Sequence, residues 1–167
     1  ARGVDLVQRG QAAALTTAPI HKKALQDGAN FQYPGHTEYL AHLAGVDRVV
    51  MMLAADPLRV VPVTIHIALA DVPRALSHDL ITTTIRITDM ALRQDFRIET
   101  PRIAVTGLNP HAGEGGAMGH EEQTIIAPAI AALQAEGMNI TGPHPADALF
   151  HAAARTRYDV AVAMYHD

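Results

Sequence analysis

Cysteine and tryptophan are absent from this 167-residue sequence, and aromatic residues are scarce, with three Phe and four Tyr. Without cysteine, neither a disulfide framework nor a cysteine-based zinc site can form. So few aromatic rings provide no stacking platform for single-stranded nucleic acid. The absence of cysteine also suits a reducing compartment, and we expect a cytoplasmic protein.

An excess of positive charge is also lacking, because 13 Lys and Arg stand against 17 Asp and Glu, for a net charge of −4. This balance gives no electrostatic footprint for duplex nucleic acid or an anionic membrane, so neither is expected as a partner. The longest unbroken apolar run, residues 49–55, is far shorter than the roughly 20 residues of a membrane span. Hydrophobic residues still make up 49% of the chain, which excludes intrinsic disorder.

Short runs of Val, Ile and Ala alternate with longer helical patterns, which predicts an α/β fold. Because the runs are apolar without interruption, a parallel or mixed sheet flanked by helices is favoured. Strands are predicted over 11–16, 47–52, 58–66, 102–108 and 159–164, and helices over 37–44, from 77 or 79 to 91, and over 121–136. Thr37 is expected to cap the first helix and Gly45 to close it. Pro128 is expected to kink or split the third.

The two ends of the sequence predict a part of a longer protein. The sequence begins in a helical pattern with no preceding strand and stops directly after an apolar strand, whereas domains usually end in exposed polar segments. We therefore expect residues 1–19 to be the remainder of a first domain. Residues 20–167 are expected to form a metal- and substrate-binding domain that is truncated at its C-terminal end.

Three of the ten histidines lie at or just past the ends of predicted strands: His66, His111 and His166. In open α/β sheets, binding sites form outside the carboxyl ends of the strands. Three imidazoles delivered there could surround one divalent cation and leave a position open for substrate, as in catalytic zinc sites. The alternative is that each is an ordinary loop residue, since the spacing does not prove that the three meet.

Other segments offer groups that could bind a ligand. In residues 35–38 (GHTE), Thr37 at a helix start presents a hydroxyl and N–H groups that suit a phosphate or carboxylate, although an ordinary N-cap is the alternative. Residues 109–116 (NPHAGEGG) could wrap a ligand or form a flexible turn, and match neither the GxGxxG fingerprint nor a P-loop. Lys22 could bind an anion or shuttle a proton, or be a solvated lysine. Asp147 could place a carboxylate near the site, or simply start a helix.

Seven motifs occur in a characteristic order along nearly the whole chain: TAPIHKKAL (17–25), PGHTEYLA (34–41), VVMMLA (49–54), LRVVPVTIHIALADVP (58–73), PRIAVTGLNPHAGEGGAMGHEE (101–122), GPHPADALF (142–150) and AMYHD (163–167). Together they resemble the 4-hydroxythreonine-4-phosphate dehydrogenase family of vitamin B6 biosynthesis and its paralogues. The NPHAGEGG and GHTE motifs are the specific ones.

The resemblance implies a two-domain α/β fold similar to those of isocitrate and isopropylmalate dehydrogenases. It implies a homodimer with its active site at a domain cleft and subunit interface. A divalent metal (zinc, cobalt or magnesium) is implied to be held by His66, His111 and His166. Substrate contacts are implied for His36 and Thr37. To these we add Lys22 and Asp147 as candidate catalytic residues.

The implied reaction is an oxidative decarboxylation of 4-hydroxy-L-threonine 4-phosphate with NAD as hydride acceptor. The stretch TIHIALADVP (64–73) looks more like paralogues that act on threonate or erythronate 4-phosphate or on aromatic dihydrodiols. The family's glycine-rich N-terminal segment and the region after residue 167, with most of the cofactor-binding residues, are missing. We therefore expect no turnover by the chain alone and assign none of its residues to NAD.

Two readings of other classes stay open. One is a non-catalytic metal- or anion-binding α/β domain, in which the histidines are kept but no nicotinamide cofactor binds. The other is a purely structural dimerisation domain, which predicts no metal. A hydrolase is disfavoured, because neither GxSxG nor HExxH occurs in the sequence.

Overall fold

The computed structural model describes residues 1–29, 31–33 and 35–166, with the side chains of Lys22, Gln26 and Ala29 outside the description. The chain divides into a first unit, Ala1–Val49, and a second unit, Val50–Asp167. The domain boundary predicted between residues 19 and 20 lies within the first unit. It stays a prediction about the longer protein.

The first unit contains the helices α1 (Arg2–Gln8), α2 (Lys22–Ala29) and α3 (His36–Ala44). The Gln8 side-chain amide donates a hydrogen bond of 2.9 Å to the carbonyl of Ala44, which ties α1 to the end of α3. Gly45 closes α3 with a left-handed φ of 69°, as predicted. The predicted cap is wrong, because Gly35, which has no side chain to cap the helix, occupies the N-cap position. The strand predicted over 11–16 is also wrong, since these residues form no regular element.

The second unit contains a five-stranded mixed sheet, which confirms the predicted α/β class. Its strands are β1 (Leu53–Ala55), β2 (Leu58–Pro62), β3 (Ile103–Thr106), β4 (Ile140–His144) and β5 (Val160–Ala163). Their order across the sheet is β1-β2-β5-β3-β4. Among the strand pairs of the described residues, β1–β2 is antiparallel and the other three are parallel. Val162 of the central strand pairs with both Val61 and Val105.

Helices of the second unit cover the sheet. They are α4 (Val72–Ala75), α5 (His78–Gln94), α6 (Ala127–Ala135) and α7 (Ala152–Arg155), with a π-helix at Glu122–Ile126 and short 3₁₀ segments at Leu69–Asp71 and Ala146–Ala148. Pro110–Gly116 is a turn with left-handed backbone angles from His111 to Gly115. Ser77 caps α5 by accepting a hydrogen bond from the amide of Leu80, which confirms one of the two predicted starts. The Ile and Thr residues of α5 favour strands by propensity, but they form a helix here because one face of that helix is buried.

The side chains of the central strands alternate between two apolar clusters. Val160 and Val162 belong to the larger cluster, together with residues of α5 and α6. Ala161, between them, packs with Leu149 and Tyr158 in the smaller one. Because successive strand residues point to opposite faces, this alternation shows that the sheet is buried on both faces. The uninterrupted apolar runs of the sequence predicted that arrangement.

Proline and glycine decide where several elements begin and end. Pro128 does not split the helix predicted over 121–136, because the π-helix Glu122–Ile126 runs directly into α6 and accommodates the proline near the start of α6. The sequence patterns missed β4, whose residues include Gly142 and Pro143. Both are depleted in strands, and proline is tolerated mainly at sheet edges, which is where β4 lies.

The strand predicted over 47–52 is wrong. The strand of this region, β1, begins at Leu53, and its register is set by the turn at Asp56 and Pro57, which places Ala55 opposite Leu58. Val50 and Met52 pack against the larger cluster from an irregular segment. Their apolar character therefore reflects burial, not strand formation.

None of the helices in the described part of the chain combines the length and the apolar character needed to cross a bilayer.

Asp159 joins the starts of β3 and β5. Its carboxylate accepts hydrogen bonds from the Arg102 backbone amide at 2.8 Å and from the Arg102 Nη2 at 2.9 Å. The guanidinium holds the pKa of this carboxyl below its usual range. The pair therefore stabilises the sheet only while the carboxyl is ionised.

We expect Asp159→Asn to lower the free energy of unfolding at pH 7 by about 1–2 kcal/mol. This lies between the values for exposed ion pairs and for charge-assisted hydrogen bonds, because the Arg102 side chain is 45% exposed. Since the pKa is lower in the folded state, the contribution is present above the unfolded value of about 4 and disappears as the pH falls through the folded value. Urea unfolding of both proteins between pH 7 and pH 3, on either side of the unfolded pKa of about 4, measures how the stability difference changes with pH.

The matched control is Glu136→Gln, whose carboxylate pairs with Arg86 on an exposed surface. It is expected to change stability much less, because exposed pairs contribute little. A stability difference between wild type and Asp159→Asn that did not shrink at low pH would contradict the prediction.

Candidate functional site

The carboxyl ends of four strands meet at one edge of the sheet, because β2, β5, β3 and β4 are mutually parallel. The pairing of β2 with β5 continues past the strands, since the Thr64 hydroxyl donates a hydrogen bond of 2.7 Å to the carbonyl of Met164. Beside them, the Gly107 amide bonds to the His144 carbonyl at 2.8 Å. The loops that carry the candidate ligands thus leave the sheet side by side.

A cavity of about 600 Å³ lies at this edge and is bordered by His111, Asp147 and His166. This volume is within the range of small-molecule sites. Much of the wall is apolar, with contributions from Leu53 and Phe150. The described residues of the wall include neither Lys nor Arg, so an anionic substrate group needs a cationic partner from elsewhere.

A second recess of about 60 Å³ adjoins the first and is bordered by His66 and His166. The ring centroids of these two histidines are 6.1 Å apart. His166 therefore borders both spaces, with His111 on one side and His66 on the other. The structure brings the candidate ligands to neighbouring positions on the same edge of the sheet.

Whether these residues suit a divalent cation can be judged from their chemistry and position. Imidazoles presented from three neighbouring strands are a donor set that binds zinc and other transition metals. In the described part of the chain, however, no three His, Asp or Glu side chains lie close enough together to hold a metal ion. The donor type and the strand positions fit a metal, and the three-histidine site stays a prediction.

The backbone is strained where two of the histidines sit. His66 has a φ of 56° and His111 a φ of 53°. The strain at His111 extends along the following turn, since residues 112–116 also have positive φ. A left-handed conformation costs roughly 1–2 kcal/mol for each non-glycine residue. Such strain persists only where surrounding contacts impose it, and it is concentrated at functional sites.

One residue next to the site was missed by the sequence patterns. Glu122 is only 3% exposed, and its carboxylate accepts hydrogen bonds from the backbone amides of Leu108 and Asn109 at 2.8 and 2.7 Å. Because Glu121 precedes it, the sequence pattern of this segment is typical of an exposed helix surface. The available signal was its place directly after a glycine-rich loop.

The remaining predicted residues are placed as follows. Asp147 lies in a 3₁₀ segment, exposed and facing the cavity. His36 and Thr37 form the first turn of α3 in the first unit, where His36 Nδ1 lies 3.5 Å from the Thr17 hydroxyl. Thr37 borders an apolar groove of about 380 Å³ within that unit. The Lys22 side chain lies outside the described residues.

Three glycines in and beside the glycine-rich loop are closely packed. A Cβ at Gly107 or Gly113 would lie 2.9 or 2.6 Å from a Glu122 carboxylate oxygen, and a Cβ at Gly116 would lie 3.0 Å from His120. These three glycines are needed for packing, whereas a Cβ at Gly115 would meet no atom within 4 Å. None of them is assigned to NAD.

Comparison with known proteins yields close matches over the whole chain. The model of the family described as "Pyridoxal phosphate biosynthetic protein PdxA" matches residues 1–167. A curated 4-hydroxythreonine-4-phosphate dehydrogenase from Ruegeria sp. (strain TM1040) is 66% identical over 165 residues, which cover 99% of this chain and 51% of that protein. The chain thus spans about half the length of the curated relatives it matches.

Two solved structures give the corresponding structural likeness. The 4-hydroxythreonine-4-phosphate dehydrogenase from Klebsiella pneumoniae superimposes with a TM-score of 0.93 at 45% identity, over 99% of this chain and 50% of that one. A terephthalate 1,2-cis-dihydrodiol dehydrogenase from Burkholderia xenovorans LB400 has a TM-score of 0.80 at 31% identity, over 99% and 52% of the two chains.

Proposed function

Because the chain belongs to the PdxA family of pyridoxal phosphate biosynthetic proteins, we propose that the full-length protein is an NAD-dependent 4-hydroxythreonine-4-phosphate dehydrogenase. Family membership confirms the resemblance inferred from the motifs. The observation that carries the proposal is the cavity at the carboxyl edge of the sheet, bordered by His111, Asp147 and His166. It lies in a chain that is 66% identical to a protein of that name.

The substrate of this reaction is a small phosphorylated hydroxy acid, and its negative charge must be anchored. We assign substrate binding to His36 and Thr37, since the start of α3 offers backbone N–H groups and a hydroxyl that suit an oxyanion. A fixed anchor orients the hydroxyl-bearing carbon and lowers the entropic part of the barrier.

Acid–base roles are assigned to two side chains. Asp147, exposed at the cavity, is the candidate to hold a proton during the reaction, and Lys22 is the candidate partner for an anion or a proton. His66, His111 and His166 would hold the divalent metal, zinc, cobalt or magnesium. When bound, such a metal supplies Lewis-acid stabilisation of negative charge on oxygen.

For the full-length protein we also propose a two-domain fold like that of isocitrate dehydrogenase, a homodimer and a cytoplasmic location. The same proposal includes a domain boundary between residues 19 and 20. It also includes the expectation that the 167-residue chain alone is inactive.

The second candidate is a paralogue that acts on threonate or erythronate 4-phosphate or on an aromatic dihydrodiol. It is favoured by the likeness to the terephthalate dihydrodiol enzyme and by the apolar wall of the cavity, which includes Phe150. The lower identity, 31% against 45% for the Klebsiella enzyme, places it second. A non-catalytic metal- or anion-binding domain is the alternative of another class.

NADH formation by the full-length protein distinguishes these candidates. We expect kcat/KM with 4-hydroxy-L-threonine 4-phosphate to exceed that with the phosphorylated aldonates or a cis-dihydrodiol by at least about tenfold. A preference for one of the other substrates would establish the paralogue. Metal binding without NADH formation from any substrate would establish the non-catalytic domain and overturn the proposal.

A further inference from the structure

The buried carboxylate of Glu122 has no part in the chemistry proposed above, although it lies under the loop that carries His111. Only 3% of the residue is exposed. Burying a carboxyl group is costly unless hydrogen bonds offset the lost hydration. Glu122 accepts three, from the Leu108 amide (2.8 Å), the Asn109 amide (2.7 Å) and the Asn109 side chain (3.0 Å).

The loop is shaped to receive this carboxylate. A Cβ at Gly107 would lie 2.9 Å from one carboxylate oxygen, and a Cβ at Gly113 would lie 2.6 Å from the other. Only glycine leaves room at both positions. Glu122 is therefore enclosed by the residues before and after His111.

The same loop needs an external restraint. From His111 to Gly116 every residue has a positive φ, and three of them, His111, Ala112 and Glu114, are not glycine. The left-handed backbone costs roughly 1–2 kcal/mol for each non-glycine residue, so the turn is unfavourable without contacts that hold it. The hydrogen bonds to Glu122 hold Asn109, two residues before His111, and so fix the point from which the turn starts.

We infer that Glu122 is a positioning residue, which orients His111 by holding the backbone of Leu108 and Asn109. This inference rests on the proposed function, because His111 is one of the three candidate metal ligands. Glu122 does not itself touch the metal or the substrate. Groups that orient ligating histidines typically change metal affinity by 10- to 100-fold when they are replaced.

The test compares Glu122→Gln with Glu121→Gln in the full-length protein. The control makes the same chemical change one residue away, at a side chain that contacts the Asn109 side-chain amide (2.8 Å). Two readouts are taken: Co²⁺ affinity with the cobalt absorption spectrum, and NMR of the His111 ring and the Leu108 and Asn109 amides. Glutamine keeps one oxygen for the two backbone amides, but it lacks the negative charge and its NH₂ group meets the NH₂ group of Asn109, so the bonds weaken. We expect Glu122→Gln to raise the Co²⁺ Kd roughly 10- to 100-fold and to speed exchange of both amides, whereas Glu121→Gln changes neither.

If Glu122→Gln lowers thermal stability but leaves the Co²⁺ Kd and the His111 resonances unchanged, Glu122 only stabilises the fold and the inference fails. If the wild-type full-length protein binds no Co²⁺, the metal part of the proposed function fails. The His111 resonances then decide: a shift in Glu122→Gln supports the positioning role, and no shift overturns it.

A second variant covers the case in which Glu122→Gln does not fold. Asn109→Ala keeps the carboxylate and both backbone hydrogen bonds and removes only the side-chain bonds. We expect a smaller rise in the Co²⁺ Kd with altered His111 resonances. Unchanged values of both in a folded Asn109→Ala protein would overturn the inference.

Discussion

Replacing His166 with alanine is expected to weaken Co²⁺ binding by the chain roughly 100- to 1000-fold. His166 borders both the cavity shared with His111 and the recess shared with His66, so its loss removes the ligand that lies between the other two. Structural zinc sites bind with about 10–16 kcal/mol. Divided over four ligands, this is about 2.5–4 kcal/mol for each, and about 1.4 kcal/mol corresponds to tenfold in affinity.

Titration of the wild type and the variant with Co²⁺, followed by absorbance and calorimetry, measures this loss. His78→Ala is the matched control, because His78 is exposed at the first position of α5 and borders neither space. An equal loss in His78→Ala, or an unchanged Kd in His166→Ala, would refute a metal site at this edge of the sheet.

The individual ligands can be separated in the same way. If His66→Ala and His111→Ala each weaken binding as much as His166→Ala, all three act as ligands. If His111→Ala has no effect, the site is a pair formed by His66 and His166, whose rings are 6.1 Å apart in this structure.

Gly113→Ala is expected to lower the free energy of unfolding by about 2–5 kcal/mol. One part, roughly 1–2 kcal/mol, is the cost of a side chain at the left-handed φ of 76°. The other part, about 1–3 kcal/mol, comes from displacing Glu122, whose carboxylate oxygen lies 2.6 Å from the new Cβ and would lose hydrogen bonds to the loop.

Gly115→Ala separates the two contributions. Its φ of 66° is similar, but no atom lies within 4 Å of a Cβ at this position, so only the backbone strain remains. Urea unfolding of the two variants gives the difference directly. Equal destabilisation would show that Glu122 adapts to the methyl group without cost, and the enclosed position described for it would be wrong.

Much of the fold was predictable because the signals were local. Ser77 marks the start of α5 by capping its first turn, and Pro128, which has no amide to donate, is accommodated by the π-helix directly before α6. Apolar runs placed β3 and β5 correctly because both strands are buried on both faces. The cap predicted at Thr37 was wrong, since a hydroxyl near a helix start is compatible both with the N-cap and with the first turn.

The strand predictions were wrong where pairing with another strand decides which residues form the strand. The strand predicted over 47–52 gave way to β1, whose register depends on the hairpin turn and on β2. The segment that forms β4 contains Gly142 and Pro143 and has no local strand signal, yet it pairs with β3 at the edge of the sheet.

By itself, the sequence determined the α/β class, the family, and the placement of His66, His111 and His166 after strands, because motifs and strand ends are properties of local segments. Only the tertiary structure decided that His166 borders two adjoining spaces and that Glu122, unlike its neighbour Glu121, is buried with its carboxylate on the backbone of the glycine-rich loop. The physical reason is that burial and hydrogen bonding between distant segments follow from strand order and register, which no local pattern records.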